Sequence, residues 1–493
     1  MGANLNIDEL NVFIKRLNIF QTFPSIYNAV SGTNSYGIYG TLIRNNIVEA
    51  MRREFRKREF WEVDCPIISP TDIWKASGHM DRFKDIIATS DNKTFRVEKV
   101  VEETRPDINL TERGLEGIKN LVARERIIPH GCSEPLHDVR EYSLMVLSSI
   151  ADSPVALRPE TATTTYIDFP SIHQTLRGHM PVKVFQYGKA FRNEITSRRG
   201  LIRGREFEQF EAQMFIFEDQ KNPFDEFNNG KGLELSILDI ESQKRNVPPK
   251  IMSLNDAVSI GILPSEAMAY CFNITSNILT KTGIDPSTVR FRQHLPDEKA
   301  HYAIDAWDVE VRTQQYGLVE FCGVHDRGNY DLTRHQEFSG KKLEVQHPDG
   351  SHQVPHILEI AFGVGRSLYC ALEQNFRQRG DTGYNILSLP RKISPIHVAV
   401  FPLVNKDGLE DIAYALNGKL SDQGFISVFD KKGSIGKRYA RMDEIGTPFC
   451  ITIDYQTKED DSVTIRERDT KSQTRIKIAD LTASLYAGLN DTQ

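Results

Sequence analysis

Near the start of the chain Leu10, Phe13, Ile14 and Leu17 recur at three- and four-residue steps, the period of one helix face, and Pro24 closes that run. After the glycine-rich segment GTNSYGIYG, residues Ile43, Ile47, Met51 and Phe55 step by four through LIRNNIVEAMRREFRKREF. This predicts a long amphipathic helix whose charged faces leave one apolar stripe for a core or a partner subunit. From Trp61 the pattern turns to short strands and loops. The span of about 100–135 is charged and interrupted by Gly114, Gly117 and Pro129, and reads as an insertion. Strand pairs return at 183–217. A polar region of lower order, about 219–290, reads as a second insertion, with a helix expected between Pro264 and Thr282. HYAIDAWDVEVRTQQYGLVEFCGV alternates as two antiparallel strands around a turn at Gln314–Gly317. HILEIAFGVGRSLYCALEQNF runs from an apolar strand through Gly363 and Gly365 into a helix.

The linker LSLPRKISP (387–395) marks a boundary. Beyond it strands and helices alternate: IHVAVFPLV, then GLEDIAYALNGKL, FISVFD, GKRYARMDEIG and PFCITIDY, with a strand SVTIRERD and a terminal helix near Ala479–Leu489. Such alternation predicts a compact α/β domain over 391–493. The expected organisation is a helical extension at 1–35, a main domain at 36–390 carrying both insertions, and this C-terminal domain.

Composition narrows the class. The 493 residues favour two to four domains, and 39% apolar with 26% charged residues is ordinary for a soluble globular protein. The longest apolar run, HVAVFPLV from His397, falls well short of the ~20 residues a bilayer span needs, so no membrane association is expected. Asp8 and Glu9 come early and no leader pattern is visible, which argues against secretion. Six scattered cysteines without a C-x-x-C pair suit a reducing cytosol, and the expected location is cytoplasmic. His352 and His356 sit four apart in the turn-rich HPDGSHQVPH, read as loop and strand histidines, and no zinc is expected. A net charge of −6 means that a nucleic acid would be met by local basic runs. These stand near Arg56, near Arg199, from Lys431 and from Arg466.

The candidate chemistry is densest at 191–211, FRNEITSRRGLIRGREFEQFE. Two antiparallel strands joined by a loop would present Arg192 to a phosphate, Glu194 to an exocyclic amine, Arg203 as a second guanidinium and Phe207 as a face for a flat base. Taken singly, each is a surface ion pair or a core aromatic; the ordered set carries the signal. The spacing F-R-x-E, loop, R-x-x-x-F resembles the ATP-binding "motif 2" of class II aminoacyl-tRNA synthetases. A strand, FGVGR and a helix downstream resemble their "motif 3".

The resemblance sharpens along the chain. NNIVEAMRREF, SGHMDRF (77–83), REYSLMV (140–146), LRPETA (157–162), FRNEI, HYAIDAWDVE (301–310), GLVEFCGVHDR (317–327), LEIAFGVGR and KRYARMDEIGTPFCITID (437–454) follow one another in order. The chain is similar to glycyl-tRNA synthetases of the eukaryotic, archaeal and Thermus type from about residue 36 to its end. The resemblance implies an α+β fold: a class II antiparallel sheet flanked by helices, then a C-terminal α/β anticodon-binding domain. It implies a homodimer through the helix at about 41–59. It also implies ATP-dependent attachment of glycine to tRNA(Gly) through glycyl-adenylate, with Mg2+.

Carried over residue by residue, the ATP site falls on Arg192, Asn193, Glu194, Ile202, Arg203, Gly204, Arg205, Glu206, Phe207, Glu320, Phe321, Gly363 and Arg366. Arg192 and Arg366 are the catalytic pair and Glu320 the Mg2+ ligand. The glycine site falls on Arg96, Glu160, Phe207, Glu211, Arg327, Glu359 and Ala361. The physics agrees: glycine has no side chain to grip, so carboxylates around a small cavity anchor its ammonium while walls exclude a Cβ. His325 reads as structural. Lys437, Arg438 and Arg441 would face the anticodon stem. Three departures stand out: Glu359-Ile360-Ala361 where the family usually has Glu-Pro-Ser, Thr163 where ETAQ is common, and Thr41 where a Tyr-Gly-Pro turn is usual. The alternatives are a class II synthetase for another small amino acid, alanine being nearest, and a non-catalytic nucleic-acid-binding accessory subunit.

Overall fold

The structure is a computed structural model and describes residues 6–23, 26–110, 113–195, 200–299, 303–378 and 384–490. Pro24 and Arg199 therefore lie outside the described residues.

Two helices open the fold. In α1 (Ile7–Arg16) the Asn6 side chain accepts from the Asp8 and Glu9 N–H groups, acids fill the first turn, and Lys15 and Arg16 the last. Phe13 packs on Phe376 with ring centroids 4.9 Å apart, so this helix shares the main core. The apolar stripe of α2 (Ile38–Arg56) is spent in the same core: Ile43, Ile47, Met51 and Phe55 are all fully buried.

That core lies under a nine-stranded sheet. Its strands in chain order are β1 (Trp61–Glu62), β2 (Val182–Phe191), β3 (Glu206–Ile216), β4 (Glu234–Leu238), β5 (Lys250–Ser253), β6 (Val289–Gln293), β7 (Asp305–Thr313), β8 (Gly317–Gly328) and β9 (His356–Gly363). Spatially they run β5-β4-β6-β7-β8-β9-β3-β2-β1, antiparallel except for β1/β2 and β4/β6. Side chains alternate between faces with period two. On one face Phe185, Phe210, Ala212, Met214, Leu358, Ile360 and Phe362 pack against α2, α4 (Glu266–Lys281) and α5 (Val364–Asn375). The other face carries Gln186, Glu211, Gln213, His325 and Glu359. Register sets Glu211 opposite Ala361, and Glu359 opposite both Gln213 and His325. α3 (Ala162–Thr175) covers one end of this face, burying Tyr166 and Phe169 against Val184 and Phe215.

The span 219–290, expected as an insertion of lower order, is instead part of the main body. β4 and β5 extend the sheet, and α4 is buried along most of its length. The first insertion has its own small core. Helices Val97–Thr104 and Leu115–Glu125 pack through Val97, Val101, Ile118 and Val122 on a sheet of Lys84–Ser90, Lys93–Arg96 and His137–Ser143.

After the linker, β10 (Val398–Pro402), β11 (Ser427–Phe429), β12 (Phe449–Ile453), β13 (Ser462–Glu467) and β14 (Gln473–Lys477) form a second sheet in the order β11-β10-β12-β13-β14. α6 (Leu409–Asp422) and α8 (Ile478–Asn490) bury Leu409, Leu416, Leu481 and Leu485 with Val398 and Ile451 in a separate core. α7 (Ile435–Ile445) packs on the other face through Met442 and Ile445. β14 and the short helix Tyr455–Asp460 are additions to the predicted alternation.

Candidate active site

Three carboxylates converge on the polar face. Glu211, from β3, accepts from the Thr161 N–H at 2.9 Å, from the Thr161 hydroxyl, and from Gln209 Nε2 at 2.9 Å. Glu359, from β9, accepts from the Tyr166 hydroxyl, lies 3.1 Å from His325 Nδ1, and takes Arg327 Nη1 at 3.3 Å. Arg327 is itself held by Asp331 at 2.8 and 3.1 Å. Glu160, in the turn before α3, accepts from Thr163 at 2.5 Å and lies 3.5 Å from His79 Nε2.

Their titration is unequal. Burial, reinforced by the charges of Glu359 and Glu160, pushes Glu211 up to about 8. Burial acts the same way on Glu160 and Glu359 but is outweighed: His79 and Arg327 hold Glu160 well below the usual range, and Arg327 and His325 lower Glu359. The cavity thus contains two anionic carboxylates and one that keeps its proton at neutral pH. An incoming ammonium would pair with these carboxylates and favour ionisation of Glu211.

Beside the cavity the β2–β3 hairpin presents Arg192 and Phe207. The Arg192 guanidinium lies 5.2 Å from the Phe207 ring centre and 5.4 Å from that of Phe83, while its Nε donates to Pro159 O at 3.1 Å. Arg203 Nε donates to Glu194 Oε2 at 2.9 Å, and Arg205 Nε to the Glu194 carbonyl at 2.7 Å. Asn193 ties the hairpin to the small sheet, its N–H donating to Leu144 O at 2.8 Å. Gly204 passes so close to the chain that a Cβ would sit 3.0 Å from the carbonyl oxygens of Gly32 and Glu206. Across the site, Arg366 in the first turn of α5 after Gly363 donates to Ile202 O at 3.2 Å and to Glu320 Oε2 at 3.1 Å. Arginines and an aromatic face on one side, with a cluster of carboxylates on the other, can hold a polyphosphate nucleotide against an amino acid.

Three expected residues are placed differently. Arg96 pairs with Asp85 at 3.0 Å on the small sheet rather than with the carboxylates. Burial, with the charge of Glu194 behind it, pushes the Asp85 carboxyl up against the pull of Arg96. Phe321 is fully buried in the apolar core, because a bulge sets Val309 opposite Cys322 and Glu310 opposite Glu320, turning Phe321 inward. Its ring is closed to a nucleotide. Arg438 is 2% exposed, donating to Pro402 O and Leu403 O, so it braces the C-terminal domain instead of facing an anticodon stem. Glu206 pairs with Lys189 at the strand edge.

Several residues of the site escaped the sequence reading. Thr161, Tyr166, His79 and Asp331 fix the carboxylates. Arg158, 1% exposed, supports the turn before α3 by donating to Cys65 O at 2.8 Å and Lys189 O at 2.9 Å. His79 and Arg158 stand inside the strings SGHMDRF and LRPETA, which was the available signal.

Known proteins are similar to this chain in fold and in sequence. Residues 150–375 match the family described as tRNA synthetase class II core domain (G, H, P, S and T), and residues 397–486 match the anticodon binding domain. The chain resembles a threonyl-tRNA synthetase structure from Cryptosporidium parvum at TM-score 0.61 and 19% identity, covering 97% of each chain. It resembles Giardia lamblia prolyl-tRNA synthetase in complex with prolyl-adenylate at TM-score 0.58 and 17% identity, covering 97% of this chain and 74% of that one. At those identities the likeness is one of fold, and it bears out the class II architecture. In sequence, the glycine–tRNA ligase of Methanococcus maripaludis is 34% identical, covering 96% of this chain and 97% of the relative. That of Methanocaldococcus jannaschii is 33% identical over 97% and 98%. Likeness of that degree from end to end means that the chain belongs to the glycine–tRNA ligase family of class II aminoacyl-tRNA synthetases.

Proposed function

We propose that the chain activates glycine with ATP to glycyl-adenylate and passes the glycyl group to the terminal ribose of tRNA(Gly). One observation carries the substrate: the carboxylates of Glu160, Glu211 and Glu359 gather on the polar face of the sheet, where an ammonium would be anchored. A glycine carboxylate oxygen attacks the α-phosphorus and pyrophosphate leaves. The nucleophile is already anionic, so no general base is needed. Charge grows on the nonbridging oxygens of the α-phosphate, where Arg192 offers a planar fork. Reaching a phosphate exchanges its contact with the Phe207 and Phe83 rings for charge-assisted hydrogen bonds. Phe207 then serves the adenine, Glu194 its amino group, and Arg203 and Arg366 the far phosphates. Glu320, half exposed beside Arg366, fits a Mg2+ that takes most of its ligands from phosphate and water and would offset their charge.

Selection against larger amino acids would rest on the sheet surface beside the carboxylates, where Ala361 stands between Glu211 and Gly323 in register. Exposed Lys437 and Arg441 on α7 support the reading of tRNA contact by the C-terminal domain. For a homodimer, the candidate face combines the charged side of α2 with the sheet edge at Trp61, which is 60% exposed. Among the described residues no helix is long and apolar enough to cross a membrane, and the cytoplasm is the proposed compartment.

Labelled glycine offered with ATP and tRNA(Gly) transcript tests the whole reading. Glycine is expected to become acid-precipitable on tRNA(Gly), with alanine inert. Alanine charging in its place would move the specificity, and no charging at all would favour a synthetase-like binding subunit.

A further inference from the structure

Next to the carboxylates, on the same sheet face, His294, Asp308 and His325 bring their ligand atoms within 4.8 Å of one another. They come from three neighbouring strands. His294 follows β6 and donates its N–H to Ala306 O at 2.9 Å, while β7 and β8 pair Ala306 with His325 and Asp308 with Gly323. No sequence spacing announces them, which is why no zinc was expected from the cysteine and histidine pattern.

The geometry has marks of a ligand set. Both ring nitrogens of His294 are buried; Nε2 pairs with Asp308 Oδ1 at 2.8 Å, a contact an ion would replace, and Nδ1 has no hydrogen-bond partner among the described residues. The atoms that would not bind metal are engaged elsewhere. His325 Nδ1 faces Glu359 at 3.1 Å, leaving Nε2 for the cluster, and Asp308 Oδ2 takes Arg292 Nη2 at 3.0 Å, leaving Oδ1. A carboxylate behind one imidazole and a donor behind the ligating carboxylate are the outer partners such sites use. The Arg292 charge is answered by Glu298 at 2.8 Å and Glu310 at 3.5 Å. Gly323 makes room: a Cβ there would stand 2.7 Å from His325 Cε1. Ligands around a tetrahedral zinc stand about 3.3 Å apart, so His294 and Asp308, now 2.8 Å apart, would open slightly while the wider separations in the set close by side-chain rotation.

We propose that His294, Asp308 and His325 bind one divalent transition-metal ion of the zinc class, with the fourth position open to water. Two imidazoles and one carboxylate select zinc-like ions over magnesium. Bound there, the ion fixes the His325 ring and, through Nδ1, the orientation of Glu359. The proposal stands on this geometry and does not depend on the functional reading.

The test uses the full chain, stripped with chelator and titrated with Co2+, then with Zn2+ in competition. Wild type is expected to develop the strong visible absorption of tetrahedral Co2+ and to retain one zinc per chain after desalting. His294→Ala should weaken Zn2+ binding by about a hundred-fold, with an unchanged circular dichroism spectrum. Should that variant fail to fold, Asp308→Asn is expected to give the same loss. A wild-type protein with no such absorption and no retained zinc overturns the proposal, as does Zn2+ binding that both variants leave intact. Neither readout involves glycine, ATP or tRNA, so failure here leaves the proposed reaction standing.

Discussion

Glu211 keeps its proton up to about pH 8 because burial and two neighbouring carboxylates oppose its ionisation. With a folded value above the ordinary 4.5, its contribution to stability is complete below about 4.5 and is lost as pH rises through about 8. Glu211→Gln cannot ionise. It should be more stable than wild type above pH 8 and show a flatter stability profile from pH 5 to pH 9, read by thermal denaturation at each pH. A wild-type decline that persists unchanged in the variant would contradict the assignment. Ala361 is the second residue to test, since a hydroxyl there would stand on the same surface. Restoring it with Ala361→Ser should lower the glycine KM about five-fold at constant kcat, the equivalent of about 1 kcal/mol. An unmoved KM in steady-state exchange would mean that the hydroxyl holds nothing. At this scale the charged residues were legible because their type and spacing carry chemistry. Thr161 and Tyr166 were not, because a hydroxyl becomes a carboxylate's donor only when the fold brings them together.

Among elements, the turn before α3 places Glu160 and Thr161, and the buried Arg158 guanidinium holds it through Cys65 O, Lys189 O and Gln186 Oε1. Arg158→Ala would strand those acceptors and cost about 3 kcal/mol or more. Urea denaturation should show the midpoint falling accordingly, and an unchanged midpoint would refute the supporting role. The long helices were readable from their four-residue steps, and the helix expected between Pro264 and Thr282 is α4. Strands β4 and β5 were not readable. They are short, half-polar pieces near and at the sheet's edge, where one-sided burial leaves a weak alternation. Phe321 failed for a different reason. Its bulge changes which face a residue takes without altering the apolar pattern.

For the whole molecule, the segment 387–395, where the rhythm of the sequence changes, precedes the second sheet, whereas the buried arginines that hold it are hidden in charge runs. Arg468, 2% exposed, donates to Leu389 O and Gly446 O at 2.8 Å, and Arg391 donates to Gly488 O at 2.8 Å. In the sequence these arginines look like solvated charge; in the fold they lock the linker to the C-terminal domain. On the proposed reaction, adenylate forms at the first domain alone while tRNA is held by both, so the two steps depend differently on this clamp. Arg468→Ala should therefore lower tRNA charging about ten-fold while leaving glycine-dependent ATP–pyrophosphate exchange near wild type, as a lost positioning of about 1.4 kcal/mol would. Equal losses in both assays would show that the clamp serves general stability alone.

The carboxylate cluster and the hairpin together are proposed to activate glycine. ATP–pyrophosphate exchange on the purified chain, with glycine, alanine and serine in parallel and Arg192→Ala as control, tests it most directly. Exchange with glycine alone, abolished in the variant, is the predicted result. Folded protein that exchanges with none of the three, or equally well after Arg192→Ala, would contradict it.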